Sequence, residues 1–496
     1  VEDVEEIVET ATKELKIERK LRDIENTWRS MTLEYVPHND TEMFLVKLSE
    51  EVIENLESHQ LELQTMIGMG KFVDFFRDRV LQWQGTLGSM EDVLKVWVNV
   101  TRSWTALESI FLASADIRSQ LPDDTKRFEA VDGEFKEQMR DIQSKPGVLD
   151  CCRSDGREVA LINMHKELEK CEKALNEYLE IKKSFFPRFY FVSNAALLDI
   201  LSNGNCPAKI MPHIGSVFDG IGDLELCYTA AQVKAHKDEP EANQGPMEGA
   251  KSMISKDREI VLFPQIFEMK GAVESWLNDL VRNMQLTLKG ELAVSMTDAL
   301  AWEDINKPRE EWVFNVPAQI ALVTSQVIWT EEVEAALEEL ESGQEDALKK
   351  YNELCNARLE SLIRLVIGDL SKGDRVKIIT VITIDVHNRD VVGALVAKKV
   401  ETNVDFKWQS QLRYYWLPED RNVNIRICDF ATSYTFEYVG NCGRLVITPL
   451  TDRCYVTLTV ALRLFLGGAP AGPAGTGKTE TTKDLSRGLG LPCYVF

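Results

Sequence analysis

Apolar residues recur along the first 185 or so residues at the spacing of one helical face. Ile17, Leu21, Ile24, Trp28 and Met31 step by four, three, four and three positions, which lines them along a single stripe of an α-helix. Val93, Val96 or Trp97, Val100 and Trp104 repeat the pattern. Charged residues fill the other faces. Pro37, Pro122 and Pro146 punctuate the runs, because proline removes a backbone donor and clashes inside a helix. Long helices of this kind bury their stripes against one another, so the region is expected to form antiparallel bundles. There is no repeat of fixed period, which argues against a solenoid of uniform units.

The texture changes at Phe185-Phe-Pro-Arg-Phe-Tyr-Phe191. Aromatic rings bury large areas, so this run reads as a core anchor; a base-stacking strip is the alternative, opposed by the surrounding acid. Residues 203–225 are rich in glycine and proline, and 235–251 read as an exposed polar loop closed by a short strand from Arg258 to Phe263. Helices are expected again from about 265. Trp329, Val333, Leu337 and Leu340 share one face, as do Leu348, Tyr351, Cys355, Leu359 and Leu362. Glu331, Glu332, Glu338, Glu339 and Glu341 form an acidic outer face, either solvated or a docking surface for a basic partner. Val376–Val386 is rich in β-branched residues yet lies between helices, and reads equally as helix or strand.

Beyond Arg444 the pattern shortens. Arg444-Leu-Val-Ile-Thr-Pro449 is a brief apolar piece stopped by proline. From Asp452 to about Leu466 the spacing is helical, with Tyr455, Leu458, Leu462 and Phe465 on one face. Gly467-Gly-Ala-Pro470 is a tight link, a helix is expected over Thr479–Leu489, and Pro492–Phe496 begins a strand.

Composition narrows the function classes. The chain has 496 residues, 44% of them hydrophobic, enough for a sizeable core. Its net charge of −23 disfavours nucleic acid and anionic lipid as partners. The acid lies upstream: Arg444–Phe496 holds six basic and three acidic residues, a local +3. The ten cysteines are scattered without a C-x-x-C pair, and none of the six histidines has a partner at metal-ligand spacing, so free thiols in a reducing compartment are expected. No apolar stretch is long enough to span a membrane. The chain opens at Val1 and stops at Phe496 just after an apolar run, and both ends read as cuts in a longer protein.

One motif carries chemistry. Gly472-Pro-Ala-Gly-Thr-Gly-Lys-Thr479 fits G-x-x-x-x-G-K-[ST]. Glycines let successive backbone N–H groups curl inward toward phosphate oxygens, and the following helix adds its positive dipole end. In such a loop the lysine, here Lys478, reaches the β- and γ-phosphates, and the hydroxyl, here Thr479, ligates Mg²⁺. The phosphate-binding set is therefore Gly472, Pro473, Ala474, Gly475, Thr476, Gly477, Lys478, Thr479 and Glu480, with ATP or ADP and Mg²⁺ as the implied ligands. A second run, Gly68-Met-Gly-Lys71, lacks the first glycine and has Phe72 in place of the hydroxyl residue, and is rejected. The loop alone binds; hydrolysis also needs an acidic residue on a neighbouring strand and a positive charge in the transition state. The chain ends 17 residues after Thr479, so binding without turnover is expected and no catalytic residue is assigned.

Arg444-Leu-Val-Ile-Thr-Pro-Leu-Thr-Asp-Arg-Cys-Tyr455 followed by Gly467-Gly-Ala-Pro-Ala-Gly-Pro-Ala-Gly-Thr-Gly-Lys-Thr-Glu-Thr481 closely resembles the first AAA+ module of dynein heavy chains. Phe186-Pro-Arg-Phe-Tyr-Phe-Val-Ser-Asn194 and Ser255-Lys-Asp-Arg258 with Pro264 resemble the helical linker that precedes the ring in that family. The resemblance implies a mainly α chain: an elongated helical-bundle linker over 1–432, then a truncated α/β P-loop (AAA+) module over 433–496. It implies a linker that bends and straightens as the module binds and releases nucleotide, and an adenine site lined by Leu445, Val446 and Ile447. It also implies partners: the rest of the AAA+ ring, other dynein heavy, intermediate and light chains, and microtubules through parts of the chain not in hand. Ser109–Arg118 and Gln120–Phe128 look more like axonemal, outer-arm heavy chains, implying a place in the cytoskeleton of cilia and flagella. Two other readings stay open, a helical docking scaffold with a passive nucleotide module and a small P-loop kinase with a helical prefix. A motor predicts an acidic strand within about 60 residues beyond the loop.

Overall fold

In α1 (Glu2–Ser30) Ile17, Leu21, Ile24 and Trp28 of the predicted stripe are fully buried, whereas Met31 lies just past the helix and is half-buried. The computed structural model describes all residues except 1, 39–42, 145, 205, 229–248, 305–308 and 496. It forms two compact units, Val1–Ile181 and Lys182–Phe496.

The first unit is helical, as the periodicity predicts. After α1 come a two-stranded antiparallel ribbon, β1 (Glu34–Pro37) and β2 (Phe44–Lys47), then α2 (Glu50–Ile67) and α3 (Arg77–Glu108). Next are α4 (Ala115–Gln120), α5 (Pro122–Ser144), α6 (Val148–Cys152) and α7 (Arg157–Phe185). The ribbon was not expected. Tryptophans pin the bundle: Trp28 Nε1 donates to His59 Nδ1 at 3.1 Å, and Trp104 Nε1 donates to Asp132 Oδ1 at 3.0 Å while its ring stacks on Phe135. Burial of each ring is thereby compatible with its polar N–H. Lys71 of the rejected glycine run pairs with Glu6 at 2.9 Å.

The second unit begins with a 3₁₀ turn over Pro187–Phe191, then α8 (Asn194–Ser202) and α9 (Pro207–Val217). Of the aromatic run, Phe186 and Phe189 are core and pack edge to face, whereas Phe185 and Tyr190 are largely exposed and Phe191 is partly so. β3 (Ile221–Cys227), β4 (Gly249–Ser255) and β5 (Ile260–Phe267) form an antiparallel sheet in that order. The loop expected over 235–251 lies outside the described residues up to 248, and 249–251 open β4 instead.

Then follow α10 (Val273–Asp304), α11 (Arg309–Asn315), α12 (Ala318–Glu341), α13 (Ala347–Ile367) and α14 (Lys372–Ala397). Val376–Val386 is thus helix; its β-branched residues tolerate the helix because it packs between neighbours. α12 is buried on every side from Ala318 to Val327, the signature of a central helix. Its later turns, with α13 and α14, enclose a core of Trp329, Val333, Leu337, Leu348, Val392, Leu395 and Trp408. Of the acidic face predicted on α12, Glu331, Glu338, Glu339 and Glu341 are exposed, and Glu332 is half-buried. Glu332 accepts from Tyr351 Oη at 2.8 Å and is bridged by Arg358 at 2.6 and 2.8 Å, and the nearby Glu334 accepts from Trp408 Nε1 and Tyr415 Oη.

A short α15 (Phe406–Gln409) leads to a meander of β6 (Arg413–Leu417), β7 (Asn422–Ile427) and β8 (Phe430–Ser433). This sheet lies where a helical linker was expected. Its signal was the alternation of Val423, Ile425 and Ile427, all buried on one face. The last elements are α16 (Pro449–Arg463) and α17 (Lys478–Leu489), while 491–495 form neither helix nor strand. Of the apolar face predicted for α16, only Tyr455 is deeply buried; Leu462 is exposed, and Phe465 beyond the helix is 98% exposed. α16 packs on β8 and α17, and Thr451, Tyr455 and Thr459 are its buried residues.

Candidate functional site: a phosphate loop on a tethered helix

Gly475 and Gly477 both adopt φ of 78°, the left-handed region that side chains resist. Gly477 is the N-cap of α17 and offers no side chain to its first turn, so the leading N–H groups keep their donors for an anion. The loop from Gly472 to Thr476 is exposed, as are Thr479 and Glu480. Lys478 folds back over the loop: its Nζ donates to Gly472 O at 2.9 Å and Pro473 O at 2.5 Å and lies 3.4 Å from Thr476 Oγ1. Thr476 Oγ1 also donates to Pro473 O at 2.9 Å. Glu480 is held by Lys483 at 2.8 Å, which directs its carboxylate along the helix. The predicted phosphate-binding residues therefore form one continuous surface with a single ammonium at its centre.

The far end of the same helix is buried. Gly490 closes α17 with φ of 65°. Gly490 O accepts from Glu437 N at 2.9 Å and from Thr435 Oγ1, Leu489 O accepts from Thr435 N at 3.3 Å, and Gly488 O accepts from Tyr414 Oη at 2.9 Å. The segment 434–439 is in turn stitched to α12. Gln319 Nε2 donates to Tyr434 Oη at 2.6 Å and Glu437 O at 2.7 Å, and Val439 N donates to Gln319 Oε1 at 3.0 Å. Arg188 grips the Glu437 carboxylate with both guanidinium arms at 2.7 and 2.6 Å. Phe191 stacks on Tyr494 with centroids 3.8 Å apart.

Between the two ends sits Asp484, 1% exposed. Arg444 Nε and Nη2 donate to its two oxygens at 2.8 and 2.9 Å, Leu445 N donates at 3.0 Å and Tyr455 Oη at 2.6 Å. Burial opposes the Asp484 charge, but Arg444 and the hydrogen bonds outweigh it and hold the carboxyl below its ordinary range. Burial likewise opposes the Arg444 charge, and Asp484 more than offsets it. Sequence reasoning missed this cluster. Its signal was a charged residue among Leu485, Gly488 and Leu489 on the buried face of α17.

Of the proposed adenine residues, Leu445 is tied to α17 through Asp484, Val446 is 68% exposed, and Ile447 lines a cavity of about 640 Å³ with Val391, Leu395, Phe406, Pro449 and Val456. His387 and Asp452 line the same cavity, their nearest atoms 3.7 Å apart. Burial pushes the His387 ring down to about 4 and the Asp452 carboxyl up to about 6.

The arrangement is that of a P-loop nucleotide-binding module joined to a helical body, and the family models agree with both parts. "Dynein heavy chain, N-terminal region 2" matches residues 1–295, and "Hydrolytic ATP binding site of dynein motor region" matches 434–496. The chain belongs to the dynein heavy chains. Its relatives are axonemal: the ciliary dynein beta chain of Tripneustes gratilla is 45% identical over 495 residues, covering 100% of this chain and 11% of that protein. Human dynein axonemal heavy chain 9 is also 45% identical over 495 residues, covering 100% of this chain and 11% of its own length. The flagellar outer-arm dynein beta chain of Chlamydomonas reinhardtii is 45% identical over 496 residues, 99% of this chain and 10% of that protein. The chain thus spans about a tenth of the length of these relatives, and its cytoskeletal setting is the axoneme.

Proposed function

We propose that this chain is the linker and nucleotide-binding front of an axonemal, outer-arm-type microtubule motor, with the linker over 1–432 and the first AAA+ module beginning at 433. Gly472–Glu480 bind the phosphates of ATP or ADP. Lys478 exchanges the loop carbonyls it now contacts for phosphate oxygens, gaining charge-assisted hydrogen bonds, and the uncapped N–H groups of α17 contribute their dipole. Thr479 presents an exposed hydroxyl suited to Mg²⁺, which when bound would neutralise charge between the β- and γ-phosphates. Leu445, Val446 and Ile447 form the wall for the base.

The observation that carries this reading is the left-handed Gly475–Gly477 turn running into the uncapped α17 under Lys478. Nucleotide occupancy is read by the linker through the buried end of α17, since 434–439 touches both that helix and Gln319 of α12. Bending and straightening of the linker then produce force. The partners are the rest of the AAA+ ring, other dynein heavy, intermediate and light chains, and microtubules through other parts of the motor. Because the acidic strand of a hydrolytic site is not among these residues, the chain alone binds nucleotide without turning it over. A steady-state phosphate-release assay tests this: no turnover above buffer is expected, alongside saturable MgADP binding, and appreciable turnover would refute it.

A further inference from the structure

We propose that Asp484 is a positioning residue for the nucleotide: it sets the segment 444–447, the wall proposed for the base, in fixed register with the phosphate loop. The proposal rests on the nucleotide reading above and adds to it the residue that couples the two halves of the ligand.

The geometry is specific. A carboxylate offers about four lone-pair directions, and all are taken: Oδ1 by Arg444 Nε and Leu445 N, Oδ2 by Arg444 Nη2 and Tyr455 Oη. These donors come from the wall segment and from α16, while Asp484 itself lies on the helix that starts at Lys478. One side chain thus joins the phosphate-loop helix to the backbone of the wall. Adhesion does not require it, because Leu485 and Leu489 already bury the same face of α17 and apolar contact would hold the elements at least as firmly. What a forked Arg–Asp pair adds is direction. It fixes the wall along the helix axis, where sliding apolar surfaces would not. A helix is stiff enough to carry that placement from Asp484 to its own first turn.

The test is calorimetric titration of the 496-residue chain with two probes, MgADP and magnesium tripolyphosphate, in wild type, Asp484→Asn and the paired variant Arg444→Gln/Asp484→Asn. Asp484→Asn is expected to weaken MgADP by about tenfold or more, while tripolyphosphate stays within about twofold of wild type. The paired variant leaves no unpaired buried charge, is expected to show the same split, and decides the matter if thermal melts show that the single variant is unfolded. Equal losses for both probes, or no loss for either, would overturn the positioning role. A wild-type chain that binds neither probe would instead overturn the nucleotide reading beneath it.

Discussion

At its N-terminal end α17 meets solvent through left-handed glycines and an uncapped turn, with Lys478 resting on loop carbonyls; at its C-terminal end the same helix is buried and accepts hydrogen bonds from two separate segments, at Tyr414 and at 435–437. The first end is built almost entirely from backbone, as a phosphate site must be if the chain is to approach the ligand closely. The second is held by the hydroxyls of Tyr414 and Thr435 and by the backbone N–H groups of Thr435 and Glu437, and Gln319 holds the 434–439 segment in turn. In the proposed reading the exposed end meets the nucleotide and the anchored end passes its position to the 434–439 segment.

Perturbations at the two ends should therefore fall in different assays. Arg444→Ala strands Asp484 as a buried, uncompensated charge and should lower stability by about 3–5 kcal/mol, read by denaturant melts. Gly490→Ala meets the Tyr434 ring at 2.7 Å at a φ of 65°, and should cost about 2–4 kcal/mol of stability. Gly477→Ala has the same left-handed backbone but open space around it, so about 1–2 kcal/mol is expected, with the larger effect on nucleotide affinity. Lys478→Ala should leave the melt unchanged and weaken MgADP by about 1.5–3 kcal/mol, read by titration.

The His387–Asp452 pair gives a pH signature. Asp452, raised to about 6, contributes stability that is full below its unfolded value and is lost as pH rises through 6. His387, lowered to about 4, contributes stability that is full above its unfolded value and is lost as pH falls through 4. Between pH 4 and 6 the two trends oppose, so wild type should be nearly flat there. His387→Gln should expose the Asp452 trend alone, with stability falling as pH rises across that window by on the order of 2 kcal/mol.

The two ends of α17 also differed in legibility. Gly472–Thr479 is local: the glycine spacing, the lysine and the helix behind it lie within one short stretch, and the structure places them as one surface. The tether is not local. Arg444 and Asp484 are 40 residues apart in sequence, and no local spacing pairs them. Gln319 reaches Val439 across 120 residues. The helical stripes of α1 and α3 were readable because periodicity alone decides them. The β6–β8 sheet was missed although Val423, Ile425 and Ile427 alternate, since helices on either side dominated the reading. The α16 face was misjudged at Leu462 and Phe465 because helical spacing says which residues align, and not which neighbour covers them.

Titration of MgADP into the chain, beside the Lys478→Ala variant, tests most directly whether loop 472–479 grips a nucleotide. Saturable one-to-one binding that collapses in the variant while both proteins melt alike is the predicted result. Heat changes indistinguishable from dilution, or binding that the substitution leaves untouched, would contradict the account.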